Sequence, residues 1–354
     1  MRSKFMIRLA LALISAGACA LFAEAQPPNA ADEAPRQKLF KDKYTYKGHT
    51  GGVTSVAMFL KFRFASGGAD HTVKLWNGRK EHLTLKGHTD SVTSVVAVKD
   101  SMVASASRDG AVKLWDWRTG KEILNLTGHK GSVECLAIGA RLASGGADGV
   151  VKLWNYESGK LERTLEGHRD VVTSLAFAPG GKYLASGSKD STVKLWELAT
   201  GRLVRTLKGH TDHVNCVVYI PRPDAKGLLA SGSSDRTIKI WDTSTGKEVF
   251  TIKGHTKAIT SLAVAGYYTG DDLSNITFLA SGSADKTVKL WSTRTRKELL
   301  TLKLHTDEVR SVALGRPGAF SKLLLASASS DGTIRVVQLA SSVERAAFDT
   351  RRSK

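Results

Sequence analysis

Between about residue 40 and residue 340 the chain is a succession of short apolar runs punctuated by Gly, Asp, Ser and Thr. The stretch around residues 161–201 shows one unit of the pattern. Val171–Ala178 (VVTSLAFA) is apolar and β-branched, as a strand buried on both faces requires. Pro179-Gly180-Gly181 turns the chain, and Tyr183–Ser188 (YLASGS) reads as the next strand. Lys189-Asp190-Ser191 makes a tight turn of the kind Asp favours. Thr192–Trp196 (TVKLW) returns, and Ala199-Thr200-Gly201 is expected to turn into the outer strand of the next unit. Leu161–Leu165, ahead of this unit, alternates enough to be such an outer strand. The pattern predicts four short strands per unit.

The unit recurs seven times. Its core reads SGGADHTVKLW, SASRDGAVKLW, SGGADGVVKLW, SGSKDSTVKLW, SGSSDRTIKIW, SGSADKTVKLW and SASSDGTIRVV, each preceded by GH or, once, LH. The histidines fall at His49, His88, His129, His168, His210, His255 and His305, with spacings of 39, 41, 39, 42, 45 and 50 residues. A period near 40 with GH at one end and Trp at the other resembles the WD-repeat β-propeller family. The resemblance covers about residues 40–340. It implies an all-β, seven-bladed propeller with four antiparallel strands per blade, whose edges are protected by closure. Seven blades absorb the 354 residues in one ring over 39–349.

The Ser, His and Asp invite comparison with a hydrolase triad, but a hydrolase needs one such set beside an exposed nucleophile. Seven copies with Ser and Asp four residues apart are architecture. The resemblance implies a buried network running from Trp to Ser to His to Asp, and the donors and acceptors of these groups allow it to close. The complete sets are His49, Ser66, Asp70 and Trp76; His88, Ser105, Asp109 and Trp115; and His129, Ser144, Asp148 and Trp154. The others are His168, Ser186, Asp190 and Trp196; His210, Ser231, Asp235 and Trp241; and His255, Ser281, Asp285 and Trp291. Repeat seven departs from the pattern. Leu304 replaces the Gly and Val337 the Trp, so Ser327 has no indole donor and the last blade is expected to be the least rigid. For closure of that blade, the segment before the first GH is expected to supply the outer strand, with Val343–Phe348 as the alternative.

The N-terminus has a different character. Arg2, Lys4 and Arg8 precede an apolar run, Leu9–Phe22, and Ala23-Glu24-Ala25 fits the small-residue cleavage pattern of a secretory signal. Residues 1–25 are therefore expected to be a signal peptide and Gln26 the mature start. The run is too short for a membrane span, which needs about 20 apolar residues, so no stable membrane insertion is expected after cleavage. Residues 26–38, with three prolines, read as a flexible spacer, and 350–354 as a basic tail. Export to a periplasm or the extracellular space follows. Cys135 and Cys216 stand where other repeats carry Ser, two blades apart, too far for a disulfide, and are expected to be buried free thiols.

Net charge is +19, and +17 without residues 1–25, which favours anionic partners. Part of this charge belongs to the repeat. The residue two before each strand-end Trp is basic throughout (Lys74, Lys113, Lys152, Lys194, Lys239, Lys289 and Arg335), and Lys47, Lys86, Lys208, Lys253 and Lys303 stand before the GH or LH pairs. Such stems are expected to cover apolar blade surface while keeping their charge in water. A second set lies in the loops after GH and around each Asp: Arg108, Lys130, Arg169, Lys189, Arg236, Lys257 and Lys286. The resemblance implies that this loop face binds peptides and proteins. It is expected to be basic over repeats two to six, and neutral to acidic where repeat one offers Gly51 and Gly52 and repeat seven Asp307 and Glu308. No phosphate loop, dinucleotide fingerprint, Cys/His cluster or unique carboxylate pair appears. The expectation is a scaffold without cofactor, metal or catalytic residue that binds a protein or peptide, possibly an acidic one. The alternative is a binder of an anionic polymer, a polyanionic glycan or nucleic acid.

Overall fold

The computed structural model describes residues 40–59, 63–99, 101–220, 227–267, 276–315, 323–340 and 343. The predicted signal, spacer and basic tail lie outside these residues, as do 344–348 of the alternative closing segment. The described residues form 28 strands in seven four-stranded antiparallel sheets, arranged as a seven-bladed β-propeller. Blade one is Val53–Met58, Arg63–Gly68, Val73–Asn77 and Lys80–Leu85, in that order from the inner to the outer strand. The next five blades repeat the order.

Blade four corrects one expectation from the sequence. Its strands are Val172–Phe177, Tyr183–Ser188, Thr192–Glu197 and Leu203–Lys208, so the outer strand after Ala199-Thr200-Gly201 stays in the sheet it has just left. The turn explains why. Gly201 has φ +76° and its N–H donates to the Glu197 carbonyl at 2.8 Å, a tight hairpin whose return strand can pair only with the strand before it. Blade and sequence repeat are thus offset by one strand. The offset leaves blade seven one strand short at its C-terminal end. Val309–Gly315, Leu324–Ser329 and Thr333–Leu339 supply three strands, and Phe40–Lys47 pairs antiparallel with Thr333–Leu339 as the fourth. The N-terminal strand closes the ring.

The core is a ring of layers between blades. In the layer joining blades three and four, Ala143, Val151, Leu153 and Leu165 of one meet Val172, Leu175, Leu184 and Trp196 of the next. Each fully buried Leu or Val in such a layer contributes about 1.5–3 kcal/mol. The polar residues of the inner strands add hydrogen bonds between blades. Ser55 Oγ accepts the Val95 N–H at 3.1 Å, Ser174 the Val217 N–H at 3.0 Å, and Ser261 the Val312 N–H at 3.0 Å. Ser311 of blade seven accepts the Val56 N–H of blade one at 3.2 Å, a contact across 255 residues of chain. Cys135 and Cys216 occupy this serine position in blades three and five. Both are buried free thiols, and burial pushes their pKa values up.

Candidate functional site

The six sequence-predicted polar sets assemble, one in each of blades one to six. In blade four the Trp196 indole N–H donates to Ser186 Oγ at 2.8 Å. The serine proton is then free for His168 Nε2, also 2.8 Å away, and His168 Nδ1 lies 2.7 Å from Asp190 Oδ2. Because indole is a donor only, this order assigns the neutral histidine its proton on Nδ1. Asp190 accepts further bonds from the Arg169 and Thr192 N–H groups and the Thr192 hydroxyl. One carboxylate thus ties the loop after His168 to the turn at Asp190. The indole–serine contact is 2.7–2.9 Å in the six blades that have it, and the serine is fully buried. In blade seven His305 reaches Ser327 at 2.8 Å and Asp331 at 3.0 Å, so the network persists without its indole. A nucleophilic reading of these serines has nowhere to act, since all seven hydroxyls are fully buried.

Burial pushes the pKa values of His49, His88, His129, His168, His210 and His305 down, against the upward pull of their aspartates. For Asp70 and Asp190, burial pushes up but hydrogen bonds from Thr, His and main chain prevail, and both sit at about 2. The two shifts act in the same direction. A histidine with its pKa below the unfolded value near 6.5 stays neutral in the fold while the unfolded chain takes up protons. Its contribution is complete above about pH 6.5 and falls as the pH drops; the aspartates add a second loss below about pH 4. Urea titrations between pH 7.5 and 5 will therefore show falling stability, with net proton uptake on unfolding. A flat profile across that window would refute neutral buried histidines.

The GH glycine has a steric role. Gly167 has φ +153°, and a Cβ there would lie 3.1 Å from the Trp196 ring. Gly87, Gly209 and Gly254 also abut the ring tips of their tryptophans. In blade seven the two departures from the repeat occur together. Val337 is buried at the tryptophan position, and Leu304 at the glycine position packs against the same apolar cluster. A smaller residue in the strand is thus accompanied by a larger one in the loop.

The strand lysines are more than solvent-reaching stems. Lys74 donates to Glu81 at 2.9 Å and Thr84 at 2.7 Å, and Lys289 to Glu298 and Thr301, both at 2.8 Å. Lys113 and Lys239 reach Glu122 and Glu248 in the same way. In blades three and four Leu161 and Leu203 replace the Glu, leaving Lys152 and Lys194 on Thr164 and Thr206 alone. The signal, an E-x-x-T spacing in the outer strands, was present in the sequence but was read there only as alternation.

The proposed partner-binding residues are all exposed. They come from four register positions: Arg108 and Lys189 before the Asp, Arg236 and Lys286 after it, Lys130 and Arg169 after the His, and Lys257 two after it. The main chain fixes several. Arg108 and Lys189 donate their N–H groups to the Ser91 and Val171 carbonyls at 3.0 Å, and the Lys130 and Arg169 N–H groups donate to Asp148 and Asp190. Arg236 and Lys286 have φ +70° and +72°, where blades two, three and seven use Gly110, Gly149 and Gly332. Lys257 stands where four other repeats carry Asp90, Asp170, Asp212 and Asp307. Blade one contributes the exposed His71, φ +66°, at the position of Arg236, a loop-face residue that sequence reading missed.

No group of three or more His, Cys, Asp and Glu placed to hold a metal occurs among the described residues. Comparison with curated proteins yields no match. The family model described as WD domain, G-beta repeat, matches the chain seven times, at 40–77, 79–116, 120–155, 159–197, 201–242, 246–292 and 296–337. Each match begins at or just before an outer strand and ends with the third strand of the following blade, which is the one-strand offset seen in the fold. With its ring closed by the first strand and a polar network in every blade, this chain belongs to the WD-repeat family of β-propellers.

Proposed function

We propose that this protein is an exported, non-enzymatic scaffold that holds an acidic segment of a partner protein across its loop face. Propellers of this family typically serve as protein-interaction scaffolds. The observation that carries the finer reading is the backbone at Arg236 and Lys286. A left-handed conformation costs a side-chain-bearing residue about 1–2 kcal/mol relative to its ordinary one. Three other blades avoid that cost with Gly; of the four that keep a side chain there (His71, Ser191, Arg236 and Lys286), these two carry long cations that face solvent. Strain kept at an exposed site suits residues retained for binding.

Changing Arg169, Lys189 and Arg236 together to Glu is expected to slow association with an acidic partner and reduce its salt dependence, while stability moves by less than about 0.5 kcal/mol per site. The contrasting set, Lys74, Lys194 and Lys289 to Glu, will lower stability, because two of these lysines already pair with glutamates. Retained affinity in the loop variant with loss in the strand variant would move the binding surface elsewhere. The net charge favours a second reading, an anionic polymer such as a glycan or nucleic acid. That partner predicts a steep linear loss of log affinity with log salt, and few aromatics interleave the cations to stack on bases. Export rests on the basic start, apolar run and Ala23-Glu24-Ala25. Mass spectrometry of the protein from its host, which we place in a bacterial periplasm or outside the cell, will show Gln26 at the N-terminus; an intact Met1 would overturn this.

A further inference from the structure

The outer strands are the exposed edges of the blades, and one differs from the other six. Edge strands protect themselves from pairing with charge and with bulges. A bulge opposite the strand-end position recurs in all seven outer strands, so it does not set any blade apart. Charge does. Six outer strands carry a carboxylate: Asp42, Glu81, Glu122, Glu162, Glu248 or Glu298. The seventh, Leu203–Lys208 of blade four (LVRTLK), carries none.

Apolar exposure concentrates in the same region. The large apolar side chains exposed among the described residues are Ile123, Leu161, Leu203 and Val204, on the outer strands of blades two, three and four. Blade four alone presents two, at consecutive positions of its outer strand, at 39% and 36% exposure. Around them stand Arg202, Arg205 and Lys208, all exposed and in no ion pair among the described residues; the Arg205 guanidinium donates to the Ser244 carbonyl, which leaves its charge unneutralised. Beneath the strand, Lys194 meets only the Thr206 hydroxyl, as Lys152 of blade three meets only Thr164, where blades one, two, five and six place a glutamate. Apolar side chains between unneutralised cations complement an extended segment that alternates apolar and acidic residues.

We propose that the outer strand of blade four is a docking edge for an extended, acidic, apolar-rich segment of a partner protein. Its apolar side chains pack on Leu203 and Val204, and its carboxylates meet Arg202, Arg205 and Lys208. The site is on the side of the propeller and is independent of the loop-face reading. The probe is a fluorescein-labelled peptide of alternating Glu and Val, about eight residues long, the length of an ordinary strand, titrated with the whole protein to millimolar concentration. It is expected to bind, and to slow amide exchange at 203–208. Leu203→Gln with Val204→Gln should weaken binding about tenfold, a change of about 1.4 kcal/mol, and Arg202→Glu with Arg205→Glu at least as much. Val249→Gln on blade five and the loop-face triple variant should leave it unchanged. Thermal midpoints measured on every variant show that it folds and separate a lost contact from a lost fold.

Absence of binding, or affinity retained in both blade-four variants, would overturn the proposal. Equal binding of an alternating Glu and Gly peptide, or of polyglutamate, would replace it with a general polyanion surface. Loss in the loop-face variant alone would assign the peptide to the loop face and leave that reading standing while removing this one.

Discussion

Trp196→Ala is expected to destabilise the propeller by about 3–5 kcal/mol, the usual cost of emptying a tryptophan-sized core site. The side chain is 2% exposed, packs in the layer between blades three and four, and supplies the proton that Ser186 accepts. Serine substitutions separate the packing from the network. Ser186→Ala leaves both the Trp196 N–H and His168 Nε2 without a partner, at about 1–3 kcal/mol. Ser327→Ala leaves only His305 unsatisfied, because Val337 has no donor to lose. Matched denaturant titrations should rank Trp196→Ala above Ser186→Ala, and Ser186→Ala above Ser327→Ala. Equal losses at the two serines would show that the indole bond contributes nothing.

Tyr46→Ala should cost a similar 3–5 kcal/mol, and it tests how the ring closes. Tyr46 pairs with Ile334 across the joint of blade seven, in the register position that Leu85 holds in blade one. Its ring is buried against Trp76 and Phe64, with centroids 5.3 and 5.8 Å away, and its hydroxyl donates to the Gly78 carbonyl at 2.6 Å. Burial raises its pKa to about 12, so it stays a neutral donor. Tyr46→Leu restores the residue type of the other outer strands and should lose only about 1 kcal/mol, the net value of the hydrogen bond. If Tyr46→Ala were as mild as Tyr46→Leu, the first strand would not be what holds the ring shut.

The number of blades, the number of strands in each and the four-residue polar sets were legible in the sequence. Each depends on spacing within some 40 residues, and periodic spacing survives in one dimension. His168, Ser186, Asp190 and Trp196 could be grouped without coordinates because the same group recurs six times. The basic loop positions were legible for the same reason, as departures from a repeated frame. His71 was overlooked because its significance lies in a left-handed backbone, which a histidine does not announce as a glycine would.

What only the tertiary structure decided are the relations between units. The assignment of Leu203–Lys208 to its own blade depends on a hairpin at Gly201, and the closing role of Phe40–Lys47 follows from the strand left missing at the far end of the chain. Leu304 and Val337 look like two independent losses in the sequence and become one packing change in the fold. The serine ties between blades, such as Ser311 to the Val56 N–H, join residues that no local pattern connects. The physical reason is common to all of these. Alternation and turn residues dictate strands through contacts between near neighbours, whereas which edge pairs with which, and which side chain fills which gap, is settled when distant segments compete for the same buried space.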